Sequence, residues 1–480
     1  MKPEYVIYPA VDLFLYDWRD GLGQETKRTD LTRRQFWRKF DPELDAQLKQ
    51  LAEVNPLTEQ TKLEVSGEIS LALRKKLEEL ADKENAEIDF VQLHRQNFAD
   101  SESDSHPEGY YCALQMGDTY ALQVSVYDAA KRPIASLKEL KTLAVSKINY
   151  HSDSTELDDK KQGTLGQTWL VWGKLTDSSQ NPRQVAEECF KQLTPNPNWK
   201  PEFSASGKLL GATVFEYWHA PANWLQPGET FSRDHYHLII CLFPFSEIST
   251  DDIRHQRAAI YSEFTKLFSY RHKILSAYWN SRQLKSELKT RALKINETVA
   301  RVEAIQSPHP NLTDLQTALT QSLPYLSAYA GDLNRLDGHS RTLEINLKNY
   351  QKRLHKLETD ANISLGIMKD FAQTAEERYW QQLEMERASM KSILTQLANL
   401  AVPMRSAIQI EQTKAARELN LTAAIASTGI ALSAVTATVI AAQQPPPKNI
   451  TFTNSPAFLW GIAPIALAML TLVTLRLIPR

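Results

Sequence analysis

Residues Leu421–Ala442 read LTAAIASTGIALSAVTATVIAA, 22 positions without a charge. At the helical rise they span about 33 Å, enough to cross a bilayer core. The Pro-rich break QQPPPKNITFTNSP follows, and Ala457–Leu475, AFLWGIAPIALAMLTLVTL, adds 19 more uncharged residues. A buried helical hairpin in a soluble core is the competing reading. Two such runs in succession favour the membrane. The pattern therefore predicts two transmembrane helices over residues 421–480, joined by a short outer loop. Lys414 and Arg417 precede the first run, Arg476 and Arg480 follow the second, and the loop holds only Lys448. That asymmetry predicts a multi-pass protein of the plasma or inner membrane, in contact with membrane lipid, with both termini cytoplasmic.

The rest of the chain is polar. Among 480 residues, 55 Lys and Arg face 57 Asp and Glu, for a formal net charge of -2. No basic field recruits nucleic acid directly. Met1–Ala10, MKPEYVIYPA, lacks the apolar core of a signal peptide. Cys112, Cys189 and Cys241 are few, odd in number and widely spaced, as expected in a reducing compartment without a zinc framework.

Residues 1–250 mix strand and helix signals. Tyr5–Tyr16, YVIYPAVDLFLY, predicts a strand, a turn at Pro9 and a second short element. Leu31–Val54 and Ile69–Ala81 are helical in pattern, and Val185–Leu193 predicts a short helix. Tyr110–Gln115 and Thr119–Tyr127 flank Met116-Gly117-Asp118 and predict a hairpin. Thr168–Leu175, Ala212–Trp218 and Tyr236–Phe245 are further strands. Together they give an α+β cytosolic domain with a small, mainly antiparallel sheet. Residues 251–420 change character. Asp251–Ile305 is one helical pattern. A heptad register runs from Leu326 through Leu357, and a third pattern runs from Ile363 onward, predicting a long coiled-coil stalk. The expected fold is an α+β domain (1–250), a helical stalk (251–420) and a two-helix transmembrane hairpin (421–480).

Four groups of residues bear on chemistry. Thr422, Ala426, Gly429, Ser433, Thr436 and Ile440 recur at helical spacing and continue upstream to Glu418 and Glu411. A pore lining with carboxylates at its inner mouth fits this stripe. A close-packing face of small residues fits it equally well. His219, His235 and His237, with Glu216 within reach, suit a transition metal. A strand edge with polar ends is the favoured alternative, so no metal and no cofactor are expected. The segment Arg271–Arg291 interleaves basic and aromatic residues. It suits an anionic ligand, although a solvated helix face is the commoner cause. No Walker, G-x-S-x-G, H-E-x-x-H or G-x-G-x-x-G sequence occurs, so no enzyme is expected. Gly163-Thr164-Leu165-Gly166 is too short to carry a function.

The layout of Asp251–Arg480 resembles the CorA family of divalent-cation channels, in which a stalk helix runs into the first of two C-terminal spans. Where that family carries Gly-Met-Asn, this sequence has Ala441-Ala442-Gln443-Gln444. The resemblance implies a homo-oligomer, a pentamer in that family. It also implies ion transport through a channel, or a membrane effector, whose cytosolic domain senses a divalent cation, a small nucleotide or a partner. A membrane-tethered coiled-coil scaffold without a pore is the alternative.

Overall fold

Val6, Ala10, Val11, Leu13, Phe14, Leu15 and Tyr16 are all buried, which requires the strand they form to be covered on both faces. In the computed structural model this strand is the middle of the sheet. The structure describes residues 4–19, 35–37, 39–40, 91–99, 107–148, 162–195, 203–219, 236–245, 248–305, 312–361 and 364–395.

The strands are β1 (Tyr5–Trp18), β2 (Val91–Ala99), β3 (Glu108–Met116), β4 (Thr119–Tyr127), β5 (Lys131–Pro133), β6 (Gly166–Leu175), β7 (Phe203–Leu209), β8 (Ala212–His219) and β9 (Tyr236–Phe243). They form one nine-stranded sheet in the order β2-β3-β4-β1-β6-β9-β8-β7, with β5 paired to β1. Only β6 and β9 pair in parallel among the described strands. The sheet is larger than the small one expected. The break foreseen at Pro9 is a bulge within one strand. Tyr8 takes φ 53°, the register with β6 shifts between Ile7 and Ala10, and β1 then continues. The β3–β4 hairpin turns at Gly117-Asp118, with Gly117 at φ 57°.

Two helices cover one face. In α1 (Leu137–Ser146) Leu137, Leu140, Ala144 and Val145 are buried. In α2 (Pro182–Leu193) Val185, Ala186, Cys189 and Leu193 are buried. The Asn181 side chain accepts from the Arg183 N–H at 2.9 Å, and Pro182 opens the first turn. These residues join Val11, Leu13, Leu15, Trp169, Val171, Ile240 and Leu242 in one core.

The other face meets α3 (Thr250–Ile305), a helix of 56 residues. Phe14 of β1 packs against Tyr261 and Phe268, with ring centroids 5.7 and 5.3 Å away. The Tyr16 hydroxyl donates to the Thr265 carbonyl at 2.8 Å. Next come α4 (Leu312–Ala361), α5 (Gly366–Thr374) and a helix at 381–395. The chain divides into two units: Met1–Ser276 with Glu344–Glu376, and Ala277–Leu343 with Glu377–Arg480. The first contains the sheet. In the second, Leu284, Leu288 and Ile295 of α3, Tyr329, Leu333 and Leu336 of α4, and Leu383, Met390 and Leu394 are buried at three-, four- and seven-residue spacing. Glu386 lies between Arg282 and Lys285, each at 2.5 Å.

The expected C-terminal transmembrane hairpin and the multi-pass membrane location are corrected here. No helix among the described residues is long and apolar enough to cross a membrane. The long helices carry charges along their length, from Asp251 and Asp252 to Arg291 in α3 and from Asp332 to Lys356 in α4. Such side chains are too costly for a bilayer core. Residues 421–475 lie outside the described residues, as do most of the helical patterns at 31–54 and 69–81.

Phe14 fixes the sheet against α3, so Phe14→Ala should cost about 3–5 kcal/mol. Urea titration of the full chain measures it; a loss below 1 kcal/mol, about that of a surface substitution, would show that this contact does not hold α3.

Candidate functional site

Strand register places the chemistry. On the α3 face, neighbouring strands align Asn97, Tyr110, Ser125, Asp12, Leu170, Ile239 and Glu216 in one row. The next row begins Arg95, Cys112, Gln123 and Phe14. Helix α3 lies over β1 and its β6 neighbour. The wing formed by β2, β3 and β4 extends beyond it. Between that wing and α3 lies a cleft of about 750 Å³, a volume typical of small-molecule sites.

Arg257 forms the back of the cleft. Its Nη2 donates to both Asp12 oxygens at 3.1 and 3.2 Å, to Ser125 Oγ at 3.4 Å and to the Tyr261 hydroxyl at 2.8 Å. Its Nη1 donates to the Tyr8 hydroxyl at 3.3 Å, and the Tyr261 hydroxyl donates to Asp12. Asp12 and Arg257 are both buried. Burial works against the guanidinium charge, yet Tyr261, Asp12 and Tyr8 together hold its pKa above the ordinary value. Arg257 is therefore a fixed cation. Burial raises the Tyr261 pKa in turn, so its hydroxyl stays protonated and keeps donating.

The floor and rim are aromatic and basic. The Arg95 guanidinium lies 4.5 Å over the Tyr110 ring. The Tyr110 hydroxyl accepts from Gln123 Nε2 at 3.0 Å. Tyr8 and Tyr127 pack with ring centroids 5.7 Å apart, and the Tyr127 hydroxyl donates to Glu108 Oε2 at 2.8 Å. Burial pushes the Cys112 thiol up to about 11, against the pull of Arg95. Cys112 is thus a neutral thiol at neutral pH and a poor nucleophile.

A second polar cluster is sealed. His237 Nε2 meets Glu216 Oε1 at 2.9 Å, and its Nδ1 meets Thr168 Oγ1 at 2.8 Å. Thr168 Oγ1 also meets His272 Nε2 at 2.9 Å, so the hydroxyl donates to one imidazole and accepts from the other. Arg271 approaches Glu216 at 3.4 Å and lies over the Trp218 and Phe371 rings. The adjoining cavity is about 20 Å³, room for about one water and no substrate. Gly166 closes the loop beside His272. At φ 145° a Cβ there would fall 2.5 Å from His272 Nδ1, so only glycine fits. That is the role of the Gly163-Thr164-Leu165-Gly166 fragment.

The sequence-predicted sites fare unevenly. His237 does reach Glu216, but among the described residues no three His, Cys, Asp or Glu side chains are grouped to hold a metal. His219 sits half-buried opposite Tyr236, and His235 lies outside the described residues. Glu411, Glu418, Thr422, Ala426, Gly429, Ser433, Thr436 and Ile440, the expected pore lining, lie outside them as well. The basic segment of α3 is solvated only toward its C-terminal end, where Lys289 is exposed. Arg271, His272, Lys273 and Arg282 are buried, and Lys273 pairs with Asp118. The cleft residues Asp12, Arg95, Tyr110 and Arg257 were not read from sequence. One signal was available: Asp12 interrupts an apolar strand, and a buried carboxylate needs a partner. No family model, curated protein or solved structure matches this chain.

Burial lowers the pKa of His237 and His272 below the ordinary 6.5, with Arg271 adding to it. The unfolded chain then binds more protons below that value, so this stability is present above pH 6.5 and lost as pH falls. Burial raises the Glu216 pKa above 4.5, which opposes the loss as its carboxyl takes up a proton in the folded state. Two imidazoles outweigh one carboxyl. The melting temperature should fall between about pH 7.5 and 5.5, and less steeply in a His237→Gln/His272→Gln variant. Equal slopes would show that the histidines do not titrate on unfolding.

Proposed function

We propose that the sheet-containing unit is a ligand-sensing domain that binds a small, ring-bearing anion in the cleft beside α3. The observation that carries this reading is the exposed guanidinium of Arg95, 4.5 Å over the Tyr110 ring, in a tyrosine-lined cleft whose back is fixed by the Arg257–Asp12 pair. Guanidinium groups bind oxyanions through paired donors, and tyrosine rings offer rigid faces for a planar group. Nucleotides combine both features. The small-nucleotide partner expected from the family resemblance is retained in this reading, and catalysis is not part of it.

The output element is α3. Arg254, Arg257, Ala258, Tyr261 and Ser262 wall the cleft, and they belong to the first turns of a helix that extends to Ile305. A ligand that engages these turns acts directly on the element carrying the effector half of the chain. The residues expected to line a pore, Glu411 to Ile440, lie outside the described residues. A second reading, a coiled-coil scaffold for a protein partner, draws support from the helical seam around Leu284, Tyr329, Leu333 and Leu383.

Thermal unfolding tests the sensing reading. A ligand that binds only the folded state raises the melting temperature with concentration. Ribonucleoside phosphates should raise it for the full chain, and the rise should vanish in Arg95→Ala, an exposed side chain whose loss leaves the fold intact. No rise with any of them would contradict nucleotide sensing.

A further inference from the structure

The charges around the cleft are not spread evenly, and their distribution selects among phosphate-bearing ligands. Three guanidinium groups, from Arg95, Arg254 and Arg257, line it. The charge of Arg257 is already matched by Asp12 at 3.1 Å. Arg254 meets Asp251 at 3.0 Å and acts on Tyr8 and Tyr127. The Glu108 carboxylate stands at that same end, held by Tyr127. Arg95 acts on Tyr110 and Cys112 at the other end, and among the described residues no carboxylate pairs with it. The cleft therefore has one unmatched cation at one end and an excess of carboxylate at the other.

Resting on the sensing reading above, we infer that the cleft is specific for a ring-bearing ligand with a single phosphate group, the nucleoside monophosphate class, and that Glu108 excludes polyphosphates. The phosphate sits on Arg95, whose guanidinium carbon lies 4.5 Å over the Tyr110 ring and whose N–H groups offer paired hydrogen bonds. The ring lies toward Tyr8 and Tyr127. There the second oxygen of Glu108, Oε1, accepts from a ring N–H or a sugar hydroxyl. A single phosphate carries about -1.5 to -2 charges at neutral pH, and a triphosphate roughly twice that. A triphosphate with its terminal phosphate on Arg95 would bring its inner phosphates along the cleft toward Glu108, with no unmatched cation to meet. Like charges in a partly enclosed cleft repel strongly enough to decide between the two ligands.

Glu108 is thus a specificity residue that acts by repulsion as well as by acceptance. Both Glu108 and Arg95 are exposed side chains on strands, so their variants keep the fold.

Calorimetric titration of the full chain with the four common ribonucleoside monophosphates and their triphosphates tests this. At least one monophosphate should bind about tenfold more tightly than its triphosphate, a difference of about 1.4 kcal/mol. In Glu108→Gln that ratio should shrink toward one, chiefly by better triphosphate binding. In Arg95→Ala the monophosphate should bind no better than the bare nucleoside. Equal or tighter binding of triphosphates by the unaltered chain would overturn the single-phosphate inference while leaving the sensing reading intact. So would a ratio unmoved by Glu108→Gln. Failure of every nucleotide to bind would overturn the sensing reading and this inference together.

Discussion

A carboxylate in the middle of a buried strand organises the sheet unit. Asp12 lies between Val11 and Leu13, with residues of β4 and β6 on either side. It is fully removed from water. An isolated charge there would cost several kcal/mol. Arg257 relieves that cost only when α3 crosses the sheet with its first turns over β1. Tyr261, one turn further along, completes the match by donating to the same carboxylate and accepting from the same guanidinium. Such a pair adds little net stability compared with apolar packing, but it fixes one position for the helix. The cleft exists because α3 is held there and the β2–β4 wing extends past it.

Local patterns in the sequence translated well into local structure. The apolar runs at 110–127, 168–175 and 212–218 are strands, the run at 236–245 is strand as far as Phe243, the Met116-Gly117-Asp118 turn joins β3 to β4, and the pattern from Asp251 is one helix. Each of these is decided by periodicity or by turn chemistry within a few residues. Sheet order is decided elsewhere. The parallel pairing of β6 with β9 and the central place of β1 depend on contacts between residues 69 to 169 apart in sequence, and no short window encodes them. Pro9 was a fair signal of a break. The sheet absorbs it as a bulge because the main chain there still bonds outward, with the Pro9 carbonyl accepting from Asp128 N–H.

The candidate site was hidden for the same reason. Arg95, Tyr110, Asp12 and Arg257 come from β2, β3, β1 and α3, and strand register and the packing of α3 bring them together. The basic run at 271–291 misled in the opposite sense. Its cations are spaced as on a solvated face, yet Arg271 finds Glu216 on β8 and Lys273 finds Asp118 in the β3–β4 turn. The histidine cluster shows how access separates structure from function. Glu216, His237 and Thr168 have the ordered contacts of a catalytic relay, but with about 20 Å³ beside them they can only tie β8, β9 and β6 to α3.

Hydrogen–deuterium exchange of the full chain, with and without adenosine 5′-monophosphate, locates any bound ligand without altering a residue. Protection is expected at 95–97, 108–112, 123–127 and 254–262, the segments that border the cleft. Binding accompanied by protection of other segments alone, with these unchanged, would contradict the placement of the site between the β2–β4 wing and α3.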